Sequence, residues 1–189
     1  MPSFLEILLS LLLATVLALA ILRVMMRRPP RVKRFGAWGM NLSLGSAAAS
    51  TYMRAYAARH GIFALRLPET VYFGAGSDSS GQPLKAASCY RIRGRDLDTR
   101  WWSLTAYQHD KLIPNVLNRY SFSKTTISMD AGGNWEIRLG PRHQPGDWLP
   151  SGEPVGNVAL VLRCYGPGPE LLAHPENTIL PEIVPEACS

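Results

Sequence analysis

An uncharged apolar stretch near the N-terminus constrains this chain more than any other feature. Residues Ile7 to Leu22 carry no charged side chain and are mainly Leu and Ala, and apolar neighbours extend the stretch on both sides. About 20 such residues let a helix cross the hydrocarbon core of a bilayer. Glu6 and Arg23 stand at the two ends, where long side chains reach the headgroups. The sequence therefore predicts a transmembrane helix over residues 1–26.

A cleaved signal peptide is the alternative explanation of this stretch. Ala18-Leu19-Ala20 has the small-x-small pattern of a cleavage site. Signal peptides carry basic residues before the apolar run, whereas this chain has none there and several after Leu22. A retained single-pass membrane anchor is therefore favoured, and the lipid bilayer is the first expected partner.

The side of the membrane on which the domain lies is left open, because two features disagree. A basic cluster follows the helix; it favours a cytoplasmic domain and is a candidate for contact with the membrane surface. The cluster consists of Arg27, Arg28, Arg31, Lys33 and Arg34. A disulfide between Cys89 and Cys188, leaving Cys164 free, would instead place the domain outside the cytosol.

The distribution of charge argues against nucleic acid as a partner. The formal net charge is +6, but six of the 20 basic residues lie between Arg23 and Arg34. From Phe35 onward the remaining 14 basic residues face 13 acidic ones, since Glu6 is the only acid before that point. A nucleic-acid-binding domain carries a basic excess on one face of its fold. We therefore expect no nucleic-acid partner.

Three successive regions follow from this layout. Residues 1–26 form the membrane helix, and residues 27–45 form a basic juxtamembrane linker that contains two prolines. Residues 46–189 form one domain, made of a helix and a β-sandwich. Its short amphipathic helix is predicted from Ser46 to His60, ending at Gly61, because glycine commonly follows a helix C-terminus.

Short β-type segments fill most of the domain. Each is rich in β-branched or aromatic residues and is bounded by turn residues. In one segment the alternation predicts that Trp135, Ile137 and Leu139 face the core. The segment that ends at Tyr165 is apolar on both faces until Arg163, which predicts a central strand. The predicted strands are Val71–Phe73, Ser88–Arg93, Trp102–Tyr107, Thr125–Met129, Trp135–Leu139 and Val158–Tyr165. The sequence thus predicts a mainly β fold, an antiparallel β-sandwich.

Motifs for catalysis and metal binding are absent from the sequence. There is no Gly-x-Ser-x-Gly elbow, P-loop or dinucleotide fingerprint. None of the four histidines has a second His or a Cys at the spacing of a zinc site. We therefore predict no catalytic residue, no metal site and no cofactor.

The loop from Pro114 to Ser121 has the composition of a binding loop. Arginine, amide and phenol side chains can hold sugars or carboxylates through bidentate bonds and stacking. The same residues are typical of a structural turn, in which Asn side chains bond to the backbone and Arg119 pairs with Asp147 or a carbonyl, and this interpretation is favoured. The candidate ligand-binding residues are Asn115, Asn118, Arg119, Tyr120, Trp102 and Trp148.

Four motifs occur in order in the second half of the chain: Trp101 to Thr105, Pro114 to Ser121, Gly146 to Pro150 and Leu160 to Pro167. Together they resemble a bacterial family catalogued as domain of unknown function 1214, from about Val71 to the C-terminus. The resemblance implies a β-sandwich of jelly-roll type and no established reaction. Longer relatives join this domain to a second uncharacterised one, catalogued as 1254, and the resemblance implies export. We expect a short, membrane-anchored member, in which Asp147 replaces the usual Asn.

Three functions are compatible with these observations. The leading hypothesis is a non-catalytic binding or accessory protein of the cell envelope, acting through loops near Asn118, Arg119 and Trp148. An enzyme acting on carbohydrate or an envelope metabolite is the first alternative, with His109, Asp110 or His143 as general base. A small accessory subunit of a membrane complex is the second, in which case another membrane or envelope protein is the partner.

Overall fold

One long apolar helix precedes a β-rich domain. The computed structural model describes residues 3–27, 30–60 and 62–188. Helix α1, Phe4–Arg27, begins with a capping box in which Ser3 and Glu6 bond to each other's backbone N–H. Its residues Phe4–Met25 have a mean hydropathy of 2.7 and are not buried by the rest of the chain. As predicted, the chain has a helix that is long and apolar enough to cross a membrane.

Short strands and helices make up the rest of the described chain. The strands are β1 Lys33–Phe35, β2 Trp38–Met40, β3 Thr70–Ala75, β4 Cys89–Arg95, β5 Thr99–Gln108, β6 Lys111–Leu112, β7 Ser121–Ser123, β8 Asn134–Gly140, β9 Trp148–Pro150, β10 Ala159–Pro167 and β11 Glu182–Glu186. The helices are α2 Thr51–Arg59 and α3 Pro169–Ala173, with a 3₁₀ turn at Pro175–Asn177.

The strands form two sheets that pack as a sandwich. The large sheet has the order β1-β2-β3-β10-β5-β6, with β7 also paired to β5, and the small sheet has the order β11-β4-β8-β9. The predicted mainly β sandwich is therefore confirmed. One pair departs from the antiparallel pattern: β9 runs parallel to β8, because residues 141–147 carry the chain back along the sheet before β9 begins.

The hydrophobic core lies between the two sheets, and the side chains that point into it alternate along β8 and β10. Trp135, Ile137 and Leu139 of β8 are buried, as their alternation predicts. Strand β10 is central, paired with both β3 and β5. Trp102 of β5 stacks on Trp135 with 5.0 Å between ring centroids, which joins the large sheet to the small one.

The segment predicted as a linker contributes two strands to the sandwich. Strands β1 and β2 form a hairpin within residues 27–45, and β2 pairs with β3. Trp38 is buried, and its indole N–H donates to the carbonyl of Pro181 at 2.7 Å. The strands were missed because they are only three residues long and follow a basic, proline-containing stretch. The domain boundaries themselves remain a prediction.

Two other local predictions differ from the structure. Helix α2 begins later than predicted, because Ser50 caps it by accepting a hydrogen bond from the Met53 N–H at 3.2 Å; its predicted end at Gly61 lies outside the described residues. The strand predicted over Thr125–Met129 is wrong. There the hydroxyls of Thr125 and Thr126 hydrogen-bond to Ser123 and hold a turn instead.

The C-terminal segment is tied to the small sheet. Its strand β11 pairs with β4 and forms one edge of the small sheet. A disulfide joins Cys89 at the start of β4 to Cys188, with 5.2 Å between their Cα atoms. Cys164 is a free thiol buried in the core, where burial raises its pKa to about 12. This thiol is therefore unreactive near neutral pH.

Candidate functional site on the outer face of the large sheet

The outer face of the large sheet carries polar and aromatic side chains around one arginine. On β10 the residues Leu160, Leu162 and Cys164 point into the core, so Arg163 points outward. Tyr72 on β3 lies directly opposite Arg163 in the sheet register. We call this surface the Arg163 face; it consists of Tyr72, Trp101, Thr105, Tyr107, Arg163 and Tyr165.

Two hydroxyl groups hold the guanidinium of Arg163 in place. Its Nη1 donates to Thr105 Oγ1 at 3.0 Å, and its Nη2 donates to the hydroxyl of Tyr107 at 2.6 Å. The Tyr107 ring lies 5.5 Å from the guanidinium carbon, within the range of a cation–π contact. The side chain is half-buried. The guanidinium is thus preorganised while some of its five N–H donors remain available.

Aromatic rings border the arginine. The rings of Trp101 and Tyr165 lie 5.3 Å apart at 50° to each other, and the Trp101 indole N–H reaches Thr125 Oγ1 at 3.5 Å. Tyr72 accepts a hydrogen bond from the Leu65 N–H at 2.9 Å, which fixes its hydroxyl. The four rings of the face are all half-buried; they belong to Tyr72, Trp101, Tyr107 and Tyr165. They offer flat apolar surface beside a fixed cation.

The electrostatics of the face are those of a cation that lacks a counter-ion. Among residues 3–27, 30–60 and 62–188, no carboxylate forms an ion pair with Arg163. Burial raises the pKa of Tyr165, and Tyr72 and Tyr107 raise it further while Arg163 opposes the rise. Tyr165 therefore stays neutral at physiological pH, and Arg163 supplies the charge of the site.

The structure does not bring the six predicted ligand-binding residues together. Trp102 is 0% exposed in the core, where its indole N–H donates to Asp96 at 3.0 Å. Trp148 is also buried and donates to the carbonyl of Gly140 at 3.2 Å. Neither ring offers a surface to a ligand in this structure.

The other four predicted residues lie in one exposed loop. The side chain of Asn115 donates to the carbonyls of Ile113 and Arg119 and accepts from two backbone N–H groups, so it organises the turn. Asn118 has a φ of 50° and Tyr120 is exposed. The Arg119 guanidinium lies 4.7 Å from the ring centroid of Phe122. Asp147, one of the partners predicted for Arg119, accepts a hydrogen bond from the backbone N–H of Ser128 at 2.7 Å.

The residues considered as general bases are dispersed. His109 and Asp110 have φ values of 51° and 60° and form the exposed turn between β5 and β6. Asp110 lies 3.7 Å from His60, whereas His143 packs its ring edge-on against Trp148. Among the described residues no group of three or more His, Cys, Asp or Glu side chains is placed to hold a metal ion.

A groove of about 780 Å³ on the small sheet is the main competing site. It is lined in part by Arg93, Asp130, Glu136 and Ile179. Arg93 already pairs with Glu136 at 3.0 Å, and the Asp130 carboxylate caps its own turn through the Gly132 and Asn134 N–H groups. Arg93, Glu136 and Asp130 are therefore already bonded within the chain, whereas Arg163 has no carboxylate partner among the described residues.

Sequence reasoning missed the Arg163 face because the site depends on strand register. A usable signal was present in β5, where Trp101, Ser103, Thr105 and Tyr107 alternate with apolar residues. Such alternation marks one outward face of polar and aromatic residues. Its pairing with Arg163 is a long-range contact that no local pattern reports.

The basic residues after α1 are on the surface where the structure describes them. Arg31 and Arg34 are exposed, and Lys33 pairs with Glu176 at 3.2 Å. Arg28 and the side chain of Arg27 lie outside the described residues.

Comparisons with known proteins support the fold and the family. A solved structure of the VPA0106 protein from Vibrio parahaemolyticus is 24% identical, covers 74% of this chain and has a TM-score of 0.58. A putative uncharacterized protein from Burkholderia cenocepacia is 15% identical over 87% of the chain, with a TM-score of 0.42. The matches span 36% and 38% of those longer chains. No curated protein matches. A family model matches residues 69–169, and the chain belongs to the DUF1214 family of proteins of unknown function.

Proposed function

We propose that this protein is a membrane-tethered, non-catalytic binding module of the bacterial cell envelope, and that its Arg163 face binds an acidic saccharide. One observation carries the proposal: a guanidinium fixed by two hydroxyls lies among four aromatic rings and has no carboxylate partner in the described chain. Helix α1 supplies the tether.

The chemistry of the face favours this class of ligand. A guanidinium binds carboxylates through charge-assisted hydrogen bonds, and bidentate geometry adds specificity. Aromatic side chains beside it offer apolar surface to the faces of sugar rings. A neutral sugar would leave the charge of Arg163 unused, and a small inorganic anion would leave the rings of Trp101 and Tyr165 unused. An acidic saccharide uses both.

Calorimetry on the full-length protein in nanodiscs tests the proposal. A galacturonate trimer is the first probe, and the corresponding neutral galactose trimer is the matched control. We expect binding of the acidic probe alone. Arg163→Gln should weaken it at least tenfold, since hydrogen bonds to charged groups contribute about 1.5–3 kcal/mol.

Arg119→Gln is the matched control variant, because Arg119 is an exposed arginine in the loop singled out from the sequence. Its affinity should equal that of the unmodified protein. Loss of binding in Arg119→Gln with full binding in Arg163→Gln would move the site to the loop. Equal binding of both trimers would remove the charge of Arg163 from the explanation.

The disulfide supports a periplasmic location for this domain. Disulfides persist in oxidising compartments and are reduced in the cytosol, whereas the basic residues after α1 favour the cytoplasm. Alkaline phosphatase and a green fluorescent protein, fused separately to the C-terminus, distinguish the two. Active phosphatase is the expected result, and fluorescence without phosphatase activity would contradict it.

A further inference from the structure

We infer that residues 30–60 and 62–66 form a docking surface that lies on an anionic lipid bilayer beside α1, with Phe63 inserted among the headgroups. We call this surface the interfacial segment. The inference rests on the part of the proposed function in which α1 crosses a membrane. It adds a second, peripheral membrane contact made by the folded domain itself.

Charge is the first argument for this surface. Nine of the 20 basic residues and none of the 14 acidic residues lie between Glu6 and Glu69. From Glu69 onward there are 11 basic and 13 acidic residues, so that part of the chain has a formal charge of −2. The basic excess of the protein is thus confined to the residues before Glu69, and six of the nine basic residues lie in the interfacial segment. Each basic residue near an anionic membrane surface contributes about 1 kcal/mol of attraction.

Exposed apolar side chains are the second argument. Phe63 is 98% exposed, and Leu42 and Leu65 are 51% and 47% exposed. The two loops that carry them pack together at Gly45, which has a φ of 76°. A Cβ atom at Gly45 would lie 2.6 Å from the carbonyl oxygen of Leu65, so only glycine permits this approach. Apolar residues among basic ones are typical of segments that lie in a membrane interface.

Continuity with the membrane helix is the third argument. The Tyr52 hydroxyl donates to the carbonyl of Met25 at 3.1 Å, which places the first turn of α2 against the last turns of α1. The Asn41 side chain donates to the carbonyl of Arg31 at 3.0 Å, so the loop that carries Leu42 is also tied to the chain leaving α1. Both contacts hold the interfacial segment at the end of α1 where a bilayer surface would lie.

Photo-crosslinking of the full chain tests the inference. Phe63→benzoylphenylalanine is irradiated in nanodiscs of phosphatidylcholine with about a quarter phosphatidylglycerol. The matched control is Val116→benzoylphenylalanine, because Val116 is 83% exposed in the sandwich. We expect about tenfold more lipid adduct at residue 63, the factor that burial of one phenylalanine ring provides. The yield should fall when phosphatidylglycerol is left out.

Each other outcome overturns a defined part of the inference. Equal lipid adducts at residues 63 and 116, in protein that co-elutes with the nanodisc, would refute docking while leaving the α1 tether intact. An adduct joining two copies at residue 63 would make the surface a self-association site instead. Failure of the protein to co-elute with the nanodisc would refute the tether and the docking surface together.

Discussion

The outer faces of the two sheets both carry arginines, and the groups that bond to these arginines differ. On the small sheet Arg91 pairs with Glu136 at 3.5 Å and with Glu186, and Arg93 pairs with Glu136. On the large sheet Arg163 contacts hydroxyl groups and a ring. Arg91 and Arg93 of the small sheet are therefore paired with carboxylates, whereas Arg163 of the large sheet has no carboxylate partner in the described part of the chain.

The core that both faces share should respond most strongly to mutation. We expect Trp102→Ala to lower the free energy of unfolding by about 3–5 kcal/mol, because the variant leaves a cavity where the two sheets meet. Urea unfolding followed by circular dichroism measures this change. Trp101→Ala is the control. Trp101 lies half-exposed on the outer face, so this substitution should lower the free energy of unfolding by less. Equal losses in the two variants would contradict the assignment of Trp102 to the core.

The next largest effect concerns the edge of the small sheet. Cys188→Ser opens a covalent loop with a sequence separation of 99 residues and should lower the free energy of unfolding by about 2–4 kcal/mol. A reductant should do the same to the unmodified protein. It should leave the variant unchanged, since Cys164 is buried and free. A further loss of stability when the reductant is added to the Cys188→Ser variant would show that another disulfide is present.

A paired substitution tests the comparison of the two faces directly. Arg91→Gln leaves Glu136 and Glu186 without their shared cation and should lower the urea midpoint. Arg163→Gln keeps an amide that can donate to the buried hydroxyl of Thr105, and water can reach the half-buried hydroxyl of Tyr107, so its stability should change by less than about 0.5 kcal/mol. Urea midpoints compare the two. A larger loss in Arg163→Gln would show that the guanidinium serves the fold.

The smallest effect is a pH dependence confined to the small sheet. The hydrogen bond from Arg91 holds the pKa of Glu186 below its usual range, although desolvation opposes the shift. The stabilisation is complete above the unfolded pKa of about 4.3 and disappears as the pH falls through the folded value. Glu186→Gln should therefore reduce the difference in unfolding free energy between neutral and acidic pH, by up to about 1 kcal/mol. An unchanged difference would contradict this role of Glu186.

Local patterns explain the elements that the sequence predicts correctly. Alternation identifies the buried side of β8, and an apolar run identifies β10 as central, because both depend on which side chains lose contact with water. Helix α1 is predictable from length and composition alone. The sequence does not predict strands β1, β2, β9 and β11. They are three to five residues long, and most of their stability comes from partners distant in sequence.

The candidate site was less predictable than the fold for the same reason. The sequence made Trp102 and Arg119 candidate ligand-binding residues because these residue types often bind ligands. The structure buries Trp102 in the core. Arg163 was not a candidate, because its neighbours Thr105 and Tyr107 are more than fifty residues away in sequence. Only the pairing of β5 with β10 reveals that they meet.

The bond between Cys89 and Cys188 also changes what proteolysis can do to this molecule. It closes a covalent circle that contains most of the sandwich, including β5 and β10. A protease that nicks one exposed turn inside this circle separates no fragment from the rest. The nicked chain stays attached to helix α1, and its Arg163 face is retained until a reductant or a second cut opens the circle.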